Sequence, residues 1–128
     1  MKENTIEQLE ADGVETLRSD GNAVEVLTDE EVDKGEVILK ENFFGIVMQH
    51  AESGEYVAIE IQQREHELVV PNEVDPDKGD ILYLDTDGVI TASGGTNIPF
   101  LKVTKAKDDT DVVWGILLPQ YTNVVAAS

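Results

Sequence analysis

The sequence contains no cysteine, which excludes disulfides, thiolate nucleophiles and cysteine-ligated zinc together. Basic residues are sparse: 9 Lys and Arg stand against 27 Asp and Glu, for a formal net charge of −18. A folded chain of 14.0 kDa exposes roughly 6,700 Å², so it carries about one net negative charge per 370 Å². Such a surface repels phosphate backbones and anionic lipid, and neither nucleic acid nor membrane is an expected partner. No run approaches the length of about 18 apolar residues that a membrane helix needs. Met1-Lys2-Glu3-Asn4-Thr5 leads into acidic sequence, so no export signal is expected. What is present is a 41% hydrophobic share, too high for disorder throughout and sufficient for one domain with a core.

Three stretches differ in character. Residues 1–21 are acidic with a weak apolar spacing: Ile6, Leu9 and Leu17 fall at helical intervals, and Thr5 with Gln8 matches a capping box. A helix this short is marginal by itself, so an N-terminal arm is expected, gaining order on a partner. Residues 22–119 read as a β domain, and residues 120–128 as a C-terminal tail of small residues.

Within the domain the apolar period is two, and short β-branched segments are separated by Gly, Asp, Asn and Pro. Strands are expected at Ala23 to Thr28, Glu36 to Leu39, Phe43 to Met48, Glu55 to Gln63, His66 to Val70, Asp80 to Asp85, Gly88 to Thr91, Ile98 to Lys105 and Val112 to Leu118. Phe43 to Met48 is a continuous apolar run broken only by Gly45, whereas Val57, Ile59 and Ile61 alternate with Ala58, Glu60 and Gln62 as on a half-buried strand. Pro71 to Gly79 holds two prolines and a glycine and reads as a loop. Asp87-Gly88 marks a hairpin. The expected fold is all-β, a compact small β-barrel or β-sandwich with an N-terminal arm.

The familiar catalytic and metal signatures fail one by one. His66-Glu67-Leu68-Val69-Val70 begins like a zinc-protease motif but has Val at its fifth position and lies in a strand. With His50 and His66 the only histidines, both read as solvent-facing or half-buried imidazoles. Asp75, Asp77 and Asp80, like Asp85 and Asp87, miss the Gly and Glu registers of a calcium loop and read as turn residues. Ser93 lacks the first glycine of a nucleophile elbow, and Gly94-Gly95 is followed by Thr-Asn-Ile-Pro rather than a phosphate-binding helix start. No catalytic, cofactor-binding or metal residue is therefore assigned, no cofactor is expected, and an enzyme is not.

Lys102, Lys105 and Lys107 form a basic cluster on an otherwise acidic chain. Lysines on a strand edge block unwanted pairing, which is the reading adopted, with docking of an acidic partner as the alternative. Trp114, Phe43, Phe44, Tyr83 and Phe100 are expected in the core, with a subunit interface as the other place for them.

The order of the strand-and-turn phrases carries a resemblance. Lys34-Gly35-Glu36-Val37-Ile38, Phe44-Gly45-Ile46-Val47, Ser53-Gly54-Glu55-Tyr56-Val57-Ala58, Lys78-Gly79-Asp80-Ile81-Leu82-Tyr83-Leu84-Asp85 and Val113-Trp114-Gly115-Ile116-Leu117 follow one another. The sequence from about residue 22 to residue 120 resembles the capsid decoration, or cement, proteins of tailed viruses of bacteria and archaea. Leu84 stands where that family often has Trp, and Glu65-His66-Glu67-Leu68 is more polar than the family's phrase there.

The resemblance implies a late-expressed structural virion protein on the outer surface of an icosahedral head, assembled in the host cytoplasm. Its implied partners are the major capsid protein and further copies of itself, as a homotrimer. Residues Thr5, Ile6, Leu9, Val14 and Leu17 of the arm are the expected capsid-binding set. The competing expectation is a small β-barrel module that binds protein or carbohydrate without catalysis. The acidity also permits a halophilic host, since dense carboxylates suit concentrated salt, where the Debye length shrinks to about 3 Å.

Overall fold

The computed structural model describes residues 21–120, so all of the 1–21 arm but Gly21 and all of the 120–128 tail but Gln120 lie outside the described residues. Nine strands follow in order: β1 (Ala23–Leu27), β2 (Val37–Lys40), β3 (Phe43–Val47), β4 (Tyr56–Glu60), β5 (Glu65–Val69), β6 (Ile81–Leu84), β7 (Ile90–Thr91), β8 (Ile98–Lys105) and β9 (Val112–Leu117). There is no helix among the described residues, and the all-β expectation holds. The first four strands make one antiparallel sheet in the order β1-β4-β3-β2, and the last five make a second in the order β5-β9-β8-β6-β7. Each sheet is thus built from one uninterrupted half of the sequence.

Alternation decides which face of each strand is buried. In β4, Val57 and Ile59 are buried while Tyr56 is exposed and Ala58 and Glu60 are half-covered, as its period of two requires. β3 is different, because four of its five residues, Phe44 to Val47, are buried on both faces. Phe44 and Ile46 join the core against the second sheet, with Leu68, Leu82, Leu84, Phe100, Leu101 and Leu117. Val47 points the other way, into a smaller core with Val26, Val32, Ile38, Ala51, Val57 and Ile59. The first sheet therefore curls as a half-barrel around its own core and lays the back of β2 and β3 against the second sheet. A continuous apolar run is what two-sided burial demands.

Phe44 and Phe100 meet edge to face at the centre of the larger core, with ring centroids 6.5 Å apart and planes at 81°, the arrangement that aromatic quadrupoles favour. β2 and β3 are joined by Glu41 and Asn42, at φ 53° and 67°, which makes the two-residue hairpin that matches strand twist. The Glu41 carboxylate accepts the Leu27 N–H of edge strand β1 at 2.7 Å, tying this turn across the sheet.

Candidate binding surfaces

The expected capsid-binding residues Thr5, Ile6, Leu9, Val14 and Leu17 lie outside the described residues. The chain enters the body at Asn22, whose carbonyl accepts the Ile61 N–H at 2.9 Å just past the end of β4.

Of the aspartates, Asp80 and Asp85 behave as turn residues. Asp80 accepts the Asp77 N–H through Oδ2 at 2.8 Å, and Asp85 accepts the N–H groups of Asp87 and Val89 through one oxygen at 2.9 Å. These are side chains mimicking backbone within tight turns.

The histidines sit in unlike places. Val32 and Ala51 exchange both backbone hydrogen bonds, at 2.9 and 3.0 Å, and their own side chains are buried. Their neighbours Glu31, Asp33, His50 and Glu52 project to the opposite, outer side, as alternation about a β-bridge requires. There the imidazole of His50 lies 2.6 Å from Asp33 through Nδ1 and 2.6 Å from Glu52 through Nε2, with Glu31 at 3.6 Å. Hydrogen bonds to Glu52 and then to Asp33 raise the His50 pKa to about 9. Glu31, Asp33 and His50 also bring three potential ligand atoms within 4.8 Å of one another.

His66 instead lines a cleft of about 360 Å³ with Lys34, Met48, Glu60 and Glu67. Its Nε2 has no hydrogen-bond partner and stands 3.6 Å from Glu60, which Arg64 contacts at 3.1 Å.

The outer face of the second sheet carries an exposed aromatic, Trp114, and part of the basic cluster. The registers set Glu65, Ile116, Lys102 and Ile81 in one row across β5, β9, β8 and β6, and Glu67, Trp114 and Lys105 in the next. Lys105 places its ammonium 4.9 Å from the centre of the Trp114 ring, a cation–π contact. Thr104 donates to Glu65 at 2.6 Å.

No protein-family model matches the chain, and no curated protein matches it. Among solved structures the chain is similar to the head fiber gp8.5 N base in bacteriophage phi29, at 10% identity and a TM-score of 0.49, over 75% of this chain and 92% of that one. A likeness this slight transfers no function from one chain to the other.

Two sequence-based expectations need correction at this face. Lys102 and Lys105 do not guard a sheet edge, because β8 lies inside its sheet between β9 and β6. Nor do the three lysines form one cluster: Lys107 turns away to the carbonyls of Pro71 and Asn72 and to Asp111, at 3.1 to 3.2 Å. Trp114 and Phe43 are 36% exposed rather than core residues, whereas Phe44 and Phe100 are fully buried. The His50 group went unread because its two halves are 17 residues apart and meet only through the Val32–Ala51 bridge.

Proposed function

We propose that this chain is a structural virion protein that binds the outer surface of an icosahedral capsid and decorates or stabilises the head. The reading rests on the five sequence phrases and on where they fall. Lys34-Gly35 is a turn with Gly35 at φ 94° opening towards β2, and Lys78-Gly79 is the same device before β6, with Gly79 at φ 96°. Phe44-Gly45-Ile46-Val47 lies within β3, Tyr56-Val57-Ala58 opens β4, and Val113 to Leu117 lies within β9. Each phrase thus falls on a turn or strand of the body, in chain order.

Physical chemistry supports the reading. A cement protein works by contact area, and an acidic body avoids the packaged genome. In this reading the arm from residue 1 to residue 21 engages the major capsid protein and pays its ordering entropy on the shell. The test is capsid occupancy, measured by electron microscopy and sedimentation of capsids mixed with the full chain or with a chain lacking residues 1–21. Binding by the full chain and its loss on deletion are expected. Unchanged occupancy would refute the role of the arm, and no binding by the full chain would refute the capsid reading in favour of a free protein- or carbohydrate-binding module.

A further inference from the structure

The outer face of the second sheet is ordered in columns as well as rows. β5 supplies an acidic column, Glu65 and Glu67; β9 supplies an apolar one, Ile116 and Trp114; β8 supplies a basic one, Lys102 and Lys105. Ile116 is 37% and Trp114 36% exposed, adjacent members of one apolar column on this face. Val69, 74% exposed, extends the apolar patch along β5. Among the described residues Lys40, Arg64 and Lys107 are ion-paired with carboxylates, whereas Lys34, Lys78, Lys102 and Lys105 are not, and of these Lys102 and Lys105 share the outer face of the second sheet. Two cations without a carboxylate partner are thus set on one side of an apolar strip and two acids on the other, on a chain whose net charge of −18 discourages unguided self-association.

We infer that this face binds the same face of a second copy of the chain about a two-fold axis running along β9. The geometry fixes the occupant. A rotation about that axis keeps each residue's height along the strands and exchanges left for right. Glu65 then meets the partner's Lys102, Glu67 meets the partner's Lys105, and Ile116 and Trp114 meet their own copies. Every charge column finds its opposite, and the apolar column finds itself, which is the self-complementarity that an isologous interface requires. Two sheets facing in this way pack about 10 Å apart with strands within about 30° of one another. Trp114 with Lys105 stacked on it forms the centre of the patch, the place where tryptophan contributes most to binding.

The size of the patch sets the strength. Four strands at about 4.8 Å spacing and five residues at about 3.3 Å rise span roughly 19 by 17 Å. The two faces together cover about 650 Å², below the roughly 1,000 Å² that a stable interface clears, so the contact is of the weak, transient kind. A weak, reversible pair that forms at high protein concentration is the consequence. This association needs no capsid and stands independently of the virion reading.

Sedimentation equilibrium of the full chain, from low micromolar to near-millimolar concentration, tests it. The expected species is a dimer that dissociates on dilution and weakens with salt, with the emission of the sole tryptophan, Trp114, shifting to the blue on association. The double reversals Lys102→Glu with Lys105→Glu, and Glu65→Lys with Glu67→Lys, each weaken it by about tenfold or more. Circular dichroism checks that both variants keep the fold. An equimolar mixture of the two variants restores a dimer, since one face is then wholly acidic and the other wholly basic. A chain that stays monomeric throughout, a trimer as the decoration-protein resemblance implies, a dimer indifferent to both reversals, or folded variants that do not pair when mixed would each overturn the inference.

Discussion

The carboxamide of Gln120 grips both backbone groups of Phe44: the Phe44 N–H donates to Oε1 at 3.0 Å, and Nε2 donates to the Phe44 carbonyl at 2.8 Å. A side chain at the end of the second sheet thus acts as a missing strand for the first. β4 pairs with β3 only at Ile46 and Val47, so Phe44 would otherwise present unpaired polar groups above the Phe44–Phe100 contact. Gln120→Ala strands both, at an expected cost of about 1–3 kcal/mol. Gln120→Glu removes the donor and sets a carboxylate against a carbonyl, so it is expected to cost at least as much at neutral pH. Urea denaturation of the three proteins provides the comparison, and a Gln120→Ala chain as stable as the parent would show the clasp to be idle.

Gly45 is the one apolar-run position where a methyl group has nowhere to go. A Cβ there would stand 2.5 Å from the Glu60 carbonyl oxygen and 3.1 Å from Ile59 Cδ1. The obstruction is backbone, so β3 and β4 must part rather than a side chain rotate. Gly45→Ala is expected at or above the upper end of the overpacking range of about 1–3 kcal/mol. Thermal melting measures it, and a loss below half a degree would contradict the packing described.

His50 gives the fold a pH dependence on the alkaline side. Its folded pKa of about 9 lies above the ordinary 6.5, so the folded state holds its proton more tightly than the unfolded chain does. The contribution is fully present below pH 6.5 and is lost as pH rises through about 9. His50→Gln should therefore lower the melting temperature at pH 6 and leave it nearly unchanged at pH 10. With two histidines in the chain, NMR titration assigns the midpoint directly. A His50 midpoint near 6.5 would mean that the contacts to Glu52 and Asp33 do not form in solution.

Truncating the aromatic centre should cost far more than the surface change at His50. Phe100→Ala leaves a cavity beside Phe44 and is expected to destabilise the fold by about 3–5 kcal/mol. Chemical denaturation would expose the error if the loss were under 1 kcal/mol, about what a surface substitution costs.

Much of the fold was legible because hydrophobic period is a local signal. β8 occupies Ile98–Lys105, the bounds expected from the sequence, and the apolar run from Phe43 to Met48 holds β3, the strand buried on both faces. What escaped depends on neighbours distant in sequence. Nothing local reveals that β9, the last strand, inserts between β5 and β8, and that insertion turns the lysines of β8 from edge guards into a sheet face. Trp114 was misplaced for a related reason. Either parity of Val112 to Leu117 buries apolar residues, and bulk alone favours Trp114 and Ile116 inside. The chosen parity buries Val113, Gly115 and Leu117 instead, because Leu101 fills the space over Gly115, where a Cβ would stand 2.5 Å from its Cγ. The Glu41-Asn42 turn was equally silent, since Glu at a left-handed position is held by Leu27, which lies 14 residues away.

The division of the sequence into two contiguous sheets makes the molecule severable. No strand pairing crosses the stretch between Glu60 and Glu65, so a peptide cut between Gln62 and Gln63 would leave each fragment with every hydrogen-bonded ladder it needs. The fragments would still share the Phe44–Phe100 contact and the Gln120 clasp. Across that cut the two halves hold each other through side-chain packing and the clasp rather than through strand pairing.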